Sequence, residues 1–393
     1  MISPTRPPEI AAITGISTAA QRERAAAALW AARAGRGPIV TAGPRPGTRT
    51  VTFLDRRDGG DGRGPVVWIA ALVDDVVDDL GSWRLRRVAD TSLWHLVLVL
   101  PDGLITGYRY LDAVADDAAS TLDGLRVLAD AGRRDPSNSE SSPAGFGSPV
   151  VESVLTLPGA PRHPAWPPAR REPPVGSRPS GTTVVGLGPG ERAWITPAPG
   201  AARGQLVLFD GAHWQQMDVA TALAGLRPDL SVVAIDADDR SCLATRTGAI
   251  DLARRAIAAA SPHLGSVPPA GRIVAGQSYG ALAALNVALY GGGIARQAIA
   301  QSPSLWFRED DPDGREFDDD GSLLRHVLAD PHLGARTSIQ VHVGALESTM
   351  TTQAARLTDL LAVRGAPAEL TTVVGGHDLA WCPHLLLRAL DNA

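Results

Sequence analysis

Strands and helices alternate through the second half of the chain. From residue 204, QLVLFD, SVVAIDA, GRIVAG, RQAIAQS and SIQVHVG are short runs that stay apolar at successive positions. Between them, Ile250 to Ala260, Tyr279 to Leu289 and Thr351 to Ala362 carry the spacing of helices. A strand apolar on both faces must be covered on both faces. The pattern therefore predicts a mostly parallel sheet with helices on either side.

The first half has a different texture. RTVTFLD, PVVWIAAL, LWHLVLVL and LITGYRYL are β-branched or aromatic runs, separated by turn sequences such as DGGDGRG and LPDG. They read as antiparallel strands of a small β-sandwich. A helix from Thr18 to Ala34 precedes them: Ser17 or Thr18 can cap it, alanines propagate it and Gly35 can end it. From Arg133 to Pro199 proline and glycine dominate, as in LPGAPRHPAWPPARREPPVGSRPSG. That composition predicts an extended connector, with strands near Val150 to Leu157 and Thr182 to Leu187. The expected organisation is a helix plus sandwich over 1–132, a connector carrying the first strands of the large sheet over 133–199, and an α/β domain over 200–393.

Charge excludes several chemistries. The 37 basic residues against 42 acidic ones leave a net charge of -5, with no basic block, which argues against nucleic acid as a partner. Every basic residue is arginine. Without lysine there is no Schiff base to pyridoxal phosphate, no P-loop lysine and no kinase-type lysine. Cys242 and Cys382 lie far apart without C-x-x-C spacing, so no cysteine-built metal site is expected. No apolar run approaches the ~18 residues of a membrane span. The N-terminus lacks a charged segment followed by an apolar one, so no secretory signal is expected and the cytosol is the default location.

Within the alternating half lies RIVAGQSYGA, a G-x-S-x-G at Gly276, Ser278 and Gly280. IVAG reads as a strand and the residues after Ser278 as a helix. A serine on so sharp a turn is presented above the sheet, and the flanking glycines let strand and helix approach without a Cβ clash. This is the nucleophile elbow of the α/β-hydrolase fold, and the N–H of Tyr279 is placed for a developing oxyanion.

In that fold the acid and then the histidine follow the serine. His377, in VVGGHD, fits the base: it follows a strand, precedes the last helix, and two glycines permit a tight loop. His326, His332, His342 and His384 are alternatives, with His342 expected inside a strand and His384 inside the last helix. Glu347 follows the strand SIQVHVG and is the candidate acid. Asp378 and Asp359 are the alternatives, each expected as a surface carboxylate. The second oxyanion donor is expected from the loop of LVLFDGAHW, at Gly211 or Ala212.

These runs together resemble the enterochelin esterases, hydrolases of tri-lactone catecholate siderophores. The matching stretches are LVLFDGAHW, VAIDADDR, GQSYGALAAL, SPSLW, VGALE and GGHD, with VTFLDRRD, DTSLWHLVLVLP, GYRYL and DPSN…GFGSPVVESVLTLPGAP in the first half. The resemblance implies Ser278 as nucleophile, His377 as base and Glu347 as acid. It implies Arg240 as a cation near an anionic ferric-catecholate substrate. Trp214 and Trp306 could form aromatic walls for catechol rings, with core packing as the alternative for each. No organic cofactor or catalytic metal is implied; iron enters only with the substrate. The chain departs from the family after Arg240, with Ser-Cys-Leu in place of Glu-Leu, and after GGHD, with Leu-Ala-Trp-Cys in place of Trp-Arg. The alternative function is a general carboxylesterase, thioesterase or acyltransferase of the same fold.

Overall fold

The computed structural model describes residues 7–57, 62–112, 114, 130–144, 150–166, 181–312, 319–330, 333, 337–366 and 368–391. They form two compact units. The first takes in the described residues of Met1–Pro161 and Val374–Trp381; the second takes in those of Arg162–Pro167, Pro173–Val373 and Cys382–Ala393.

In the first unit β1 (Ile39–Ala42), β2 (Thr48–Arg56), β3 (Val66–Ile69), β4 (Arg86–Arg87), β5 (Leu93–Pro101), β6 (Ile105–Leu111), β7 (Ser141–Pro143) and β8 (Val151–Thr156) build two sheets. Both are antiparallel, in the orders β1-β2-β5-β4 and β3-β6-β8-β7. Their inner faces share a core of Val51, Phe53 and Leu96 from one sheet and Val67, Tyr108 and Tyr110 from the other. Phe53 meets Tyr108 edge-on at 5.1 Å. The buried Tyr110 hydroxyl donates to the Leu54 carbonyl at 2.9 Å, which satisfies its one polar atom. The expected helix runs over Ala19–Ala32, and Thr18 Oγ1 accepts from Gln21 N at 3.3 Å. A shorter helix, Pro8–Thr14, precedes it and packs Ile10 and Ile13 with Ala26, Leu54 and Leu93.

The connector expected over 133–199 is divided: β7 and β8 stay in the first unit, whereas the strands Thr183–Gly188 and Glu191–Thr196 join the large sheet. β8 pairs with β6 (Ile105↔Thr156, Tyr108↔Ser153), and β7 pairs with β8. The DPSN run is built into the same unit. Buried Asp135 accepts from the Tyr108 hydroxyl at 2.6 Å and from Ser137 N and Oγ at 2.7 Å. Asn138 Nδ2 donates to the Val154 carbonyl at 2.8 Å. Polar side chains do the ordering here, and composition reads polar side chains as loop. The GFGSP run lies outside the described residues.

In the second unit β9 (Thr183–Gly188), β10 (Glu191–Thr196), β11 (Gly204–Phe209), β12 (Leu230–Ala237), β13 (Arg272–Gln277), β14 (Gln297–Gln301), β15 (Ser338–Gly344) and β16 (Ala368–Val373) form one sheet. Its order is β16-β15-β14-β13-β11-β12-β10-β9. The six strands from β11 to β16 run parallel, and β9 and β10 add antiparallel at one edge. This is the mixed, mostly parallel sheet of an α/β-hydrolase. Val207, Phe209, Val233, Val274, Ala300 and Val341 are fully buried, as strands covered on both faces require. The helix Tyr279–Tyr290 is buried at every position from Gly280 to Ala288 and packs on β13 and β14. A helix apolar all round has no face to give to water, and its place under the sheet centre follows. No helix among the described residues is long and apolar enough to cross a membrane.

Candidate active site

The parallel strands deliver the candidate residues from one edge. Gly211 follows β11, Ser278 follows β13, Glu347 follows β15, and His377 lies in the segment after β16. The carboxyl ends of such strands are where α/β sheets place their chemistry.

Ser278 caps the helix Tyr279–Tyr290 with φ 59° and ψ -117°. That left-handed φ is unfavourable for a residue with a Cβ and marks a strained elbow. The two glycines of the motif are needed by close approach. A Cβ on Gly276 would lie 2.4 Å from the Gly280 carbonyl carbon, and one on Gly280 would lie 2.6 Å from Asp210 Oδ2. The turn is pinned on both sides, Ser278 N donating to the Gln301 carbonyl at 3.0 Å and Ser304 N to the Ser278 carbonyl at 3.3 Å.

Two further serines enter here that sequence reasoning missed. Ser304 Oγ lies 3.1 Å from Ser278 Oγ. Ser302, with φ 45°, donates from Oγ to Glu347 Oε1 at 2.6 Å. Gly344 N donates to the same oxygen at 2.7 Å. Glu347 is thus buried and fixed in orientation. The signal was the SPSLW run: β14 lies between β13 and β15, so serines after it reach both neighbours.

Two of the alternative histidines are buried in the fold. His342 is buried inside β15, and its pKa is lowered to about 4 by burial first and the Arg388 charge second. His384, in the helix Cys382–Asp391, accepts from His163 N at 3.0 Å and is lowered to about 4, mainly by burial. His326 meets the Tyr290 ring edge-on at 6.3 Å. His332 lies outside the described residues. Asp359 is exposed on the helix Ser348–Val363, as expected. Asp378 corrects the expectation: it is 2% exposed, accepting from Thr106 Oγ1 and from Ala380 N, each at 2.9 Å. Its burial depends on a residue of β6, which no local reading of GGHD could supply.

Arg240 is an ion-pair member. Its Nε donates to Asp210 Oδ1 at 2.8 Å, and its guanidinium lies 5.6 Å from the Tyr279 ring centre. Asp210 Oδ2 accepts from Gly280 N at 3.1 Å. One carboxylate therefore serves the first turn of the nucleophile helix and an arginine together. Asp210, itself at φ 59°, was not singled out from sequence, although it stands in LVLFDGAHW.

Trp306 is half-buried with its ring 5.9 Å from that of Tyr279, beside the nucleophile. Trp214 is a correction: it is 1% exposed, and its Nε1 donates to the Phe209 carbonyl at 2.9 Å. A fully buried, satisfied indole packs the core and offers no wall. Gly211 is buried against β12, where a Cβ would lie 2.8 Å from the Ala234 carbonyl carbon. Ala212 N faces Asp236 Oδ1 at 3.5 Å, the outer limit of a hydrogen bond. Tyr279 N stands at the first position of the helix that follows Ser278.

Residues 50–166 match the family described as Enterochelin esterase, N-terminal, and residues 258–392 match the Esterase family. The iron(III) salmochelin esterase of Escherichia coli O6:H1 is 27% identical over 375 residues, 88% of this chain and 87% of that one. The iron(III) enterobactin esterase of Escherichia coli K12 is 27% identical over 360 residues, 83% and 86% of the two chains. Among solved structures, the enterobactin esterase of Shigella flexneri in the presence of enterobactin is 22% identical with a TM-score of 0.75, covering 93% of this chain and 97% of that one. The ferric enterobactin esterase of Salmonella typhimurium is 24% identical with a TM-score of 0.74, covering 93% and 100%. At these identities the structural likeness establishes a shared fold.

Proposed function

We propose, from the premise that the chain belongs to the enterochelin esterase family, that it is a serine esterase cleaving the ester bonds of a catecholate siderophore lactone in its ferric form. The observation that carries the chemistry is the strained elbow at Ser278. The substrate class is supported by the N-terminal family match and by the iron(III) salmochelin and enterobactin esterases among the relatives.

In this reading His377 removes the Ser278 proton as Oγ attacks the ester carbonyl, and Glu347 orients the imidazole. The amides of Tyr279 and of Gly211 or Ala212 stabilise the oxyanion. Collapse expels the alcohol, protonated by His377, and leaves an acyl-enzyme. Water, deprotonated by His377, attacks the acyl carbon; the released acid restores Ser278. The steps need no organic cofactor and no resident metal. Tyr279 and Trp306 offer aromatic surface for catechol rings, and Arg240 offers positive charge tempered by Asp210.

The test is incubation with a ferric catecholate tri-lactone, followed by mass spectrometry, beside Ser278→Ala. Stepwise gains of water that vanish in the variant are the expected result. Cleavage of simple phenyl esters with no lactone turnover would overturn the substrate and leave a general esterase.

A further inference from the structure

The segment Val374–Trp381, which carries His377, groups with the first unit although β16 before it and the helix Cys382–Asp391 after it belong to the second. Its attachments to β6 and its surroundings are specific. β3 ends opposite Tyr108, so the Ile105 edge beyond it is left to another partner. That partner is the histidine segment: Ile105 N donates to the Val374 carbonyl at 3.0 Å. Gly376 lies against Ala71, where a Cβ would come within 2.4 Å of the Ala71 Cα. Gly375 is as close to Trp381, with a Cβ 2.9 Å from its Cδ1 and 3.1 Å from the Ile105 carbonyl oxygen. Neither glycine has a positive φ. The GG of GGHD is therefore required by close approach, rather than by the backbone freedom of a tight turn.

The node of this attachment is Thr106, which is fully buried. Its Oγ1 accepts from Ala71 N at 3.1 Å. Its single proton has two acceptors in range, Asp378 Oδ2 at 2.9 Å and the Gly107 carbonyl at 3.2 Å. The carboxylate oxygen is the nearer, so the proton goes there. Asp378 Oδ1 in turn accepts from Ala380 N, and Asp378 N donates to the Gly376 carbonyl at 2.9 Å. Trp381 Nε1 closes the segment on the same carbonyl at 2.8 Å. Glu152 of β8 is fully buried, with Arg109 Nε at 3.6 Å and no hydrogen-bond partner for its Oε1 among the described residues. Glu152 fills the space over Gly107, where a Cβ would fall 1.7 Å from Oε1. Burial, then the Asp378 charge, pushes Glu152 up to about 8, with Arg109 opposing.

We infer that Thr106, through its hydrogen bond to Asp378, is a positioning residue for His377, so that the sandwich unit sets the geometry of the catalytic base. The inference rests on the reading of His377 as base. Thr106 touches no reacting atom. Its effect falls on the rate of the chemical step, because displacing a base by about 1 Å can cost ~100-fold in rate without weakening substrate binding.

The experiment compares Thr106→Val, Thr106→Ser and Asp378→Asn with the parent chain, on p-nitrophenyl butyrate and on the ferric tri-lactone, with a thermal melt of each. Thr106→Val is expected to lower kcat about 10- to 100-fold with KM within about twofold. Thr106→Ser is expected to recover most of it, since the hydroxyl returns. In a His377→Ala background, Thr106→Val is expected to cost nothing more, because the group it positions is gone. That last readout separates positioning from general support of the fold. Wild-type kcat in Thr106→Val, or the same loss with and without His377, would overturn the inference while a Ser278→Ala loss leaves the esterase reading intact. If Ser278→Ala and His377→Ala both keep full turnover, the esterase reading itself fails and the inference goes with it. A Thr106→Val that melts far below the parent hands the decision to Asp378→Asn, whose wild-type kcat would also overturn it.

Discussion

Glu347 takes its hydrogen bonds from Gly344 N and from Ser302, residues that the strand order brings beside it. Asp378 takes one of its own from Thr106, 272 positions away in the chain. Both carboxylates are buried, and both flank a candidate catalytic residue or serve as one. The first is positioned by the catalytic sheet itself. The second is positioned by the small sandwich. Parallel strands with short loops assemble chemistry from neighbours, whereas β16 ends its sheet among the described residues and the segment after it pairs outside that sheet, with Ile105. It takes its support from elsewhere in the sequence.

Breaking the sheet-built side should have the largest effect. Gly276→Ala drives a Cβ against the Gly280 backbone, which no side-chain rotation relieves. We expect a stability loss at the top of the ~1–3 kcal/mol overpacking range, read as a lowered Tm. Turnover of p-nitrophenyl butyrate should fall more than ~100-fold as the elbow shifts. Ser302→Ala is next. It takes the Ser302 hydroxyl away from Glu347 Oε1, a loss of about 1.5–3 kcal/mol for a hydrogen bond to a buried carboxylate. Denaturant melts check that figure, and kcat should fall about tenfold with KM little changed. Equal kcat for Ser302→Ala and the parent would mean that Glu347 needs no such anchor. Ser304→Ala removes the hydroxyl 3.1 Å from the nucleophile and should cost about 3- to 10-fold in kcat/KM, equivalent to the ~1 kcal/mol of an ordinary hydrogen bond.

The smallest effect at neutral pH sharpens the sandwich side. Glu152 ionises near 8 in the folded chain and near its ordinary 4.5 in the unfolded one. Between those values the unfolded state has released a proton that the folded state keeps. Stability should therefore be full below about pH 4.5, fall as pH rises through the folded value, and level off above it. Glu152→Gln has no proton to release, so its Tm should fall less between pH 5 and pH 9 than that of the parent. Parallel curves would mean that Glu152 titrates like an exposed acid.

The comparison also tells why some residues were legible in the sequence and others were not. The elbow is local: a strand, two glycines and a helix stand consecutively around Ser278, so spacing alone finds it. The large sheet is legible for the same reason, through unbroken apolar runs. Trp214 and Asp378 were misread because their burial is decided by partners elsewhere, the Phe209 carbonyl and Thr106. Ser302 and Ser304 were visible as part of SPSLW, but their roles depend on β14 lying between β13 and β15, an order that the chain sequence does not spell out. β8 was placed with the wrong sheet because a Pro/Gly-rich neighbourhood hides pairing between strands distant in sequence.

The nucleophile is the claim on which the account turns. A fluorophosphonate probe, followed by digestion and peptide mass spectrometry, reads it directly. The account predicts one label per chain on Ser278, absent in Ser278→Ala and slowed in His377→Ala. No label on the folded chain, or a label on another residue that persists in Ser278→Ala, would contradict it.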